Sequence, residues 1–165
     1  MGCFDDAETC ELVGLFFLSK EKQFIPKNQI GLYRDDGLLL IKNPNGPFLD
    51  RLRKKLHHTF EEEGLMITVE SPTNVEDFLD VTLNCADGSY CPFRKENSTT
   101  EYVNKSSNHP PNIIKRIPEI VEKRLNNISS DKSIFDDSQK CYEDCLRNGG
   151  YMNVESKFSE TPKPA

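Results

Sequence analysis

The chain has 165 residues, 36% of them hydrophobic and 29% charged, with a formal net charge of −6. That length allows one modest domain with its own core, and the composition predicts a soluble globular chain on the polar side. No apolar run approaches the ~20 residues that a membrane span needs, and the negative balance argues against a general nucleic-acid binder.

Acidic Asp5, Asp6, Glu8 and Glu11 precede the short apolar stretch Val13 to Leu18. A signal peptide begins with positive charge instead, so neither secretion nor membrane insertion is expected. Of the six cysteines, Cys3, Cys10, Cys85, Cys91, Cys141 and Cys145, none forms a Cys-x-x-Cys pair. Free thiols are therefore expected. Cys141 and Cys145 share a helix face at a spacing of four. Core packing is their expected role, since a metal site would need two further ligands.

Asp5 or Asp6 caps a first predicted helix that runs to about Ser19, with Ala7, Cys10, Val13, Phe16 and Phe17 at helical spacing. Pro26, Lys27 and Asn28 break it. Ile30 to Ile41 reads as two apolar strands joined at an acidic tight turn, with Gly37 supplying flexibility. Asn43-Pro44 starts a second helix, whose apolar stripe is Phe48, Leu49, Leu52, Leu56 and Phe60. Glu61, Glu62 and Glu63 sit at its C-terminal end, against the helix dipole, and Gly64 ends it.

Leu65 to Glu70 alternates like a strand, with Leu65, Ile67 and Val69 on one face. Phe78 to Leu83 is the next predicted strand, Asp87-Gly88 a hairpin turn, and Ser89 to Lys95 the returning strand. Asn97 to Asn108 is polar, with a short extended segment at Tyr102 and Val103. Pro110-Pro111 opens a helical region carrying Ile113, Ile114, Ile117, Ile120, Val121 and Leu125, which Pro118 is expected to split in two. Ser130 or Asp131 caps the last helix, Ile134, Phe135, Tyr142 and Leu146 line it, and Gly149-Gly150 closes it. The polar tail from Asn153 to Ala165 is expected to be disordered.

The residues that suggest chemistry are Tyr33-Arg34-Asp35-Asp36. Two adjacent carboxylates at the tip of an apolar hairpin repel one another, and a bound divalent cation would offset that repulsion. Phosphoryl transfer with two metal ions needs carboxylates held on strands. A solvated acidic turn is the other reading of the same four residues.

The surrounding segments resemble reverse transcriptases, particularly those of non-retroviral animal retroelements. Leu32-Tyr-Arg-Asp-Asp-Gly-Leu38 looks like their catalytic hairpin, motif C. Phe60-Glu-Glu-Glu-Gly-Leu-Met-Ile-Thr68 is similar to motif D, and Phe78-Leu-Asp-Val-Thr-Leu83 to the primer-grip hairpin, motif E. Tyr90-Cys-Pro-Phe-Arg-Lys95 and Ser107-Asn-His-Pro-Pro111 continue the likeness, and Met1 to Ser19 resembles the helix between motifs B and C. It spans roughly residues 1 to 151.

The resemblance implies RNA-directed DNA polymerisation on an RNA or DNA template-primer, with dNTP as substrate and two Mg²⁺ ions as cofactor. It assigns metal-binding catalytic roles to Asp35 and Asp36, and places Tyr33 near the nucleotide or primer terminus. Phe78, Leu79 and Asp80 would help to place the primer. Arg94, Lys95, Lys115 and Arg116 could touch backbone phosphates, although a solvated surface is their alternative role. From Phe93 to Arg116 five basic residues face two acidic ones, a local excess of positive charge. The family's setting implies a nuclear or cytoplasmic location.

The family's metal site also uses a third carboxylate, from motif A on an upstream strand. Only 34 residues precede Asp35, and the candidates Asp5, Asp6, Glu8 and Glu11 fit no apolar strand. Motif A and the fingers are therefore expected to be absent. Losing one ligand of a two-metal site should cost on the order of several kcal/mol of transition-state stabilisation, so the chain alone is not expected to polymerise. The Ile30–Ile41 hairpin would also lack a neighbouring strand and expose an edge, which predicts poor folding.

The expected fold class is α+β. Residues 1–95 would form a partial palm with a small antiparallel sheet, residues 96–150 a mostly helical thumb- or connection-like region, and residues 151–165 a disordered tail. Two other functions fit the sequence. One is a nucleic-acid-binding module built on Phe93 to Arg124, and the other is a protein-interaction scaffold built on the helices from Pro110 to Gly149.

Overall fold

The computed structural model describes residues 6–22, 25–26, 29–95, 101–152 and 154–159. The fold is mixed α+β and divides into two compact units, Met1–Pro72 and Thr73–Ala165. No described helix is long and apolar enough to cross a membrane.

The first unit begins with α1 (Asp6–Glu21). Asp6 and Glu8 lie in its first turn and Lys20 in its last, charges of the sign that the helix dipole favours at each end. Asp5, the other expected cap, lies outside the described residues. The predicted apolar stripe is not the buried face, for of its members only Phe17 is buried, while Val13 and Phe16 are exposed with Leu12 and Leu15. Apolar residues run around most of α1, and within its unit one helix and one hairpin leave much of that surface uncovered.

A two-stranded antiparallel sheet follows, β1 (Ile30–Tyr33) against β2 (Asp36–Leu39), with Tyr33 opposite Asp36. The positive φ at this turn belongs to Arg34 (53°), so Gly37 does not supply the turn's flexibility as expected. Gly37 stands opposite Leu32, and a Cβ there would lie 3.0 Å from Leu32 Cδ2. Its smallness makes room for the cross-strand leucine.

Helix α2 (Gly46–Glu61) starts slightly later than predicted, with Asn45 as N-cap accepting from the Phe48 N–H (2.9 Å). Leu56 and Thr59 are buried, and Phe60 stacks on Phe17 at 4.0 Å between centroids. The acidic end finds partners: Glu63 pairs with Lys20, and Glu62 faces His58 (3.4 Å). Gly64, at φ +75°, lets the Leu65 N–H reach the Phe60 carbonyl (3.0 Å).

The predicted strand Leu65–Glu70 is not a strand. Its alternation survives, with Ile67 and Val69 partly buried between exposed neighbours and Met66 96% exposed. A strand needs a ladder partner, and β1 and β2 pair only with each other.

The second unit opens with the antiparallel meander β3 (Val75–Phe78), β4 (Val81–Asn84) and β5 (Ser89–Pro92). The predicted strand Phe78–Leu83 is instead the end of β3, a tight turn at Leu79-Asp80, and most of β4. Leu79 takes a positive φ of 56°, a conformation that an apolar residue does not announce. The second turn falls at Asp87-Gly88 as expected, with Gly88 at φ +77°. Ser89 donates to Asp87 Oδ1 from both its N–H (2.8 Å) and its hydroxyl (2.7 Å), and the hydroxyl first, then the N–H, holds this carboxyl below the ordinary range.

Helix α3 (Pro111–Asn127) runs through Pro118 unbroken, against expectation. Burial of Ile114, Val121 and Leu125 on one face outweighs the missing N–H, which typically costs about 3 kcal/mol. Ile113 and Ile120 fall outside that face and are exposed. Helix α4 (Lys132–Asn148) is capped by Asp131, which accepts from the Ile134 N–H (3.1 Å), and ends at Gly149-Gly150.

The core of this unit gathers Ile114, Val121, Leu125, Ile128, Phe135, Tyr142, Leu146 and Tyr151. Val81 and Tyr102 pack on it, as do Val154 and Phe158 from the tail expected to be disordered. Phe158 meets Phe135 edge-on at 5.5 Å. Glu143 accepts the Ser156 N–H (3.0 Å) and Asn126 the Ser159 N–H (2.7 Å). The helices thus satisfy the segment's backbone, which its polar composition concealed. Asn153 and residues 160–165 lie outside the described residues.

Candidate catalytic hairpin and its surroundings

Asp35 and Asp36 stand at the tip of the β1–β2 hairpin, Asp35 in the turn and Asp36 opening β2. Both are exposed. Tyr33, opposite Asp36, is also exposed, and the Arg34 guanidinium lies 5.5 Å from the Tyr33 ring centroid. The sequence brings these groups together through apolar strands, whose residues Ile30 to Leu32, Leu38 and Leu39 are partly buried. Their exposure puts the carboxylates in water, which screens their mutual repulsion. The hairpin therefore does not need a cation to form.

The donor set is suited to Mg²⁺ in kind but not in number. One or two carboxylates can hold a Mg²⁺ ion when substrate phosphates and water complete its octahedron. A two-ion site needs more ligands, and no group of three or more His, Cys, Asp or Glu side chains placed to share a metal occurs among the described residues. The two aspartates do not by themselves form that centre.

The other sequence-predicted residues lie in the second unit. Phe78 ends β3 partly buried, and Leu79 is exposed in the turn that follows. The Asp80 carboxylate accepts from Arg124 Nε (2.9 Å) and Nη2 (2.6 Å). Arg94 is turned onto the protein: its guanidinium lies 4.3 Å from the Tyr142 ring centroid, and Nη1 approaches Cys141 Sγ (2.7 Å) and Cys145 Sγ (3.7 Å). Lys95, after β5, is exposed, as are Lys115 and Arg116 on α3. A shallow groove of about 370 Å³ runs beside Lys105, Lys115, Pro118, Tyr151 and Glu155.

Sequence reasoning missed the partners of Asp80 and Arg94, which lie 44 and 47 positions away. No local pattern marks either pairing. It also missed Tyr102, whose phenol is pushed up to about 12, chiefly by burial and then by Tyr142. Cys141 is exposed and Cys145 only partly buried, so core packing does not describe Cys141. The cysteines Cys10, Cys85, Cys91, Cys141 and Cys145 are free thiols. Comparison with protein-family models, with curated proteins and with solved structures finds no match to this chain.

Proposed function

We propose that this chain derives from a reverse transcriptase, carrying the catalytic hairpin of its palm and the region that follows. The ancestral reaction is nucleotidyl transfer from a dNTP to a primer 3′-hydroxyl on an RNA or DNA template, with Mg²⁺. The observation that carries this reading is the adjacent pair Asp35-Asp36 at the exposed tip of an antiparallel hairpin, with Tyr33 opposite Asp36. Such a tip can offer carboxylates to a nucleotide-bound cation. The order of the neighbouring segments, as they resemble motifs D and E, is the second support.

By itself the chain does not polymerise. It offers two carboxylates, and the described residues add no third ligand. A rigid third ligand and a nucleotide-gripping surface must come from elsewhere in the ancestral enzyme.

Two measurements test this reading together. Primer extension on primed RNA with Mg²⁺ or Mn²⁺ should show no incorporation by the chain, and incorporation that Asp35→Asn abolishes would overturn the claim of inactivity. The gene should encode, upstream of Met1 and in any frame, an apolar strand bearing an Asp, preceded by basic segments. A gene without such a segment would remove the proposed ancestry.

A non-catalytic nucleic-acid-binding module is the second reading, favoured by the exposure of Lys95, Lys115 and Arg116. Salt-sensitive RNA binding that survives Asp35→Asn and falls with Lys115→Ala/Arg116→Ala would select it.

A further inference from the structure

A cluster in the second unit serves no part of the proposed ancestral reaction. Cys141 and Cys145 lie one turn apart on α4, the first exposed and the second partly buried. Arg94, just past β5, reaches both sulfurs with Nη1, at 2.7 Å and 3.7 Å. Its guanidinium lies 4.3 Å from the Tyr142 ring centroid, a cation–π contact that helps to hold the group in place. The other terminal nitrogen, Nη2, is buried without an acceptor. A buried cationic N–H with no acceptor is costly, and thiol sulfur is only a weak one. The site therefore holds a positioned donor that lacks an oxygen, next to an exposed thiol.

We propose that Cys141 is a site of reversible oxidation by small hydroperoxides, and that Arg94 holds the oxygen of the resulting sulfenic acid. The sulfur attacks one peroxide oxygen, so that an S–O bond forms and the O–O bond breaks. The departing hydroxide takes the thiol proton and leaves as water when the oxidant is hydrogen peroxide. Sulfur loses two electrons and the peroxide gains them, and an external thiol reverses the change. The new oxygen is a stronger acceptor than sulfur and lies within reach of the guanidinium. Cys10 and Cys85 are also exposed and free, yet neither has a guanidinium contact among the described residues, so they are internal references.

The test uses the full chain, treated with hydrogen peroxide and trapped with dimedone, with each cysteine read by peptide mass spectrometry. Labelling at Cys141 should exceed that at Cys10 and Cys85 by about tenfold in the native chain. The three sites should label alike in urea, and Arg94→Met should bring Cys141 down to the references. Equal native rates would overturn the proposal, as would an advantage that persists in urea. Full Cys141 labelling in an Arg94→Met chain with a native far-UV spectrum would also overturn it. If that variant does not fold, the native-versus-urea comparison decides alone.

Discussion

Arg124 places both Nε and Nη2 on a single carboxylate oxygen of Asp80, at 2.9 Å and 2.6 Å, and so ties the β3–β4 turn to α3. The link joins the tight turn at Leu79-Asp80 to the helix that supplies Val121 and Leu125 to the core. Asp80 first, through this hydrogen bond, raises the Arg124 pKa, although burial opposes it.

The pair is about half in solvent, with side chains 56% and 36% exposed, so screening limits its worth. Asp80→Ala should destabilise the second unit by about 0.5–1 kcal/mol, and a double-mutant cycle with Arg124→Ala should give a coupling of similar size. Chemical denaturation at low and high salt checks this, with the coupling expected to shrink in high salt. A coupling near zero at low salt would mean that the turn is held by its ladder alone.

Glu21 ends α1 with its side chain fully buried, and neither carboxylate oxygen has a close hydrogen-bond partner. Burial raises its pKa, opposed by weaker interactions with Thr59 and Lys55 on α2. The unfolded chain ionises Glu21 near its ordinary 4.5, the folded chain only at higher pH. Its stabilising contribution is therefore complete below pH 4.5 and is lost as pH rises through the folded value. Glu21→Gln should raise the melting temperature of the first unit at pH 7–8 and leave it nearly unchanged at pH 4. Calorimetry of both chains across this range checks the sign. A variant that melts lower at pH 8 would show that the carboxylate is charged and paired in the folded state.

What could be read in advance was local. Asp131 caps α4 through a hydrogen bond spanning three residues, and the stripes of α2 and α4 follow from one period, whereas the cap of α2 fell at Asn45, two residues after the expected Asn43. The acidic hairpin tip was legible for the same reason, since Asp35 and Asp36 sit between two short apolar runs. What failed depended on distant partners or on backbone conformation. Leu65–Glu70 has a strand's alternation but no strand to pair with among the described residues. Leu79 and Arg34 take positive φ, which neither residue type favours. Pro118 stays helical because its flanking face is buried. At the candidate site, the composition of the hairpin could be read, whereas the partners of Asp80 and Arg94, 44 and 47 positions away, could be found only by seeing which side chains come together.

The segment Val154 to Ser159 turns this point into a measurable quantity. Phe158 covers Phe135, and the Ser156 N–H donates to Glu143 Oε1. Burial alone would raise the Glu143 pKa, but the Ser156 N–H, then Gln139 and Arg147, outweigh it and hold the carboxyl below its ordinary range. This stabilisation is present above the unfolded value of 4.5 and is lost as pH falls through the depressed folded value. Truncation after Met152 removes the Ser156 donor and uncovers Phe135. It should cost about 2–4 kcal/mol at pH 7, mostly from the lost aromatic packing, and Phe158→Ala alone about 1–3 kcal/mol. The gap between full and truncated chains should narrow from pH 7 to pH 3, because this stabilisation is lost as pH falls through the depressed folded value, while the Phe158→Ala gap should stay nearly constant. Denaturation at the two pH values separates these contributions. Equal gaps for the truncated chain at pH 3 and pH 7 would show that the segment stabilises the unit through Phe158 packing and not through Glu143.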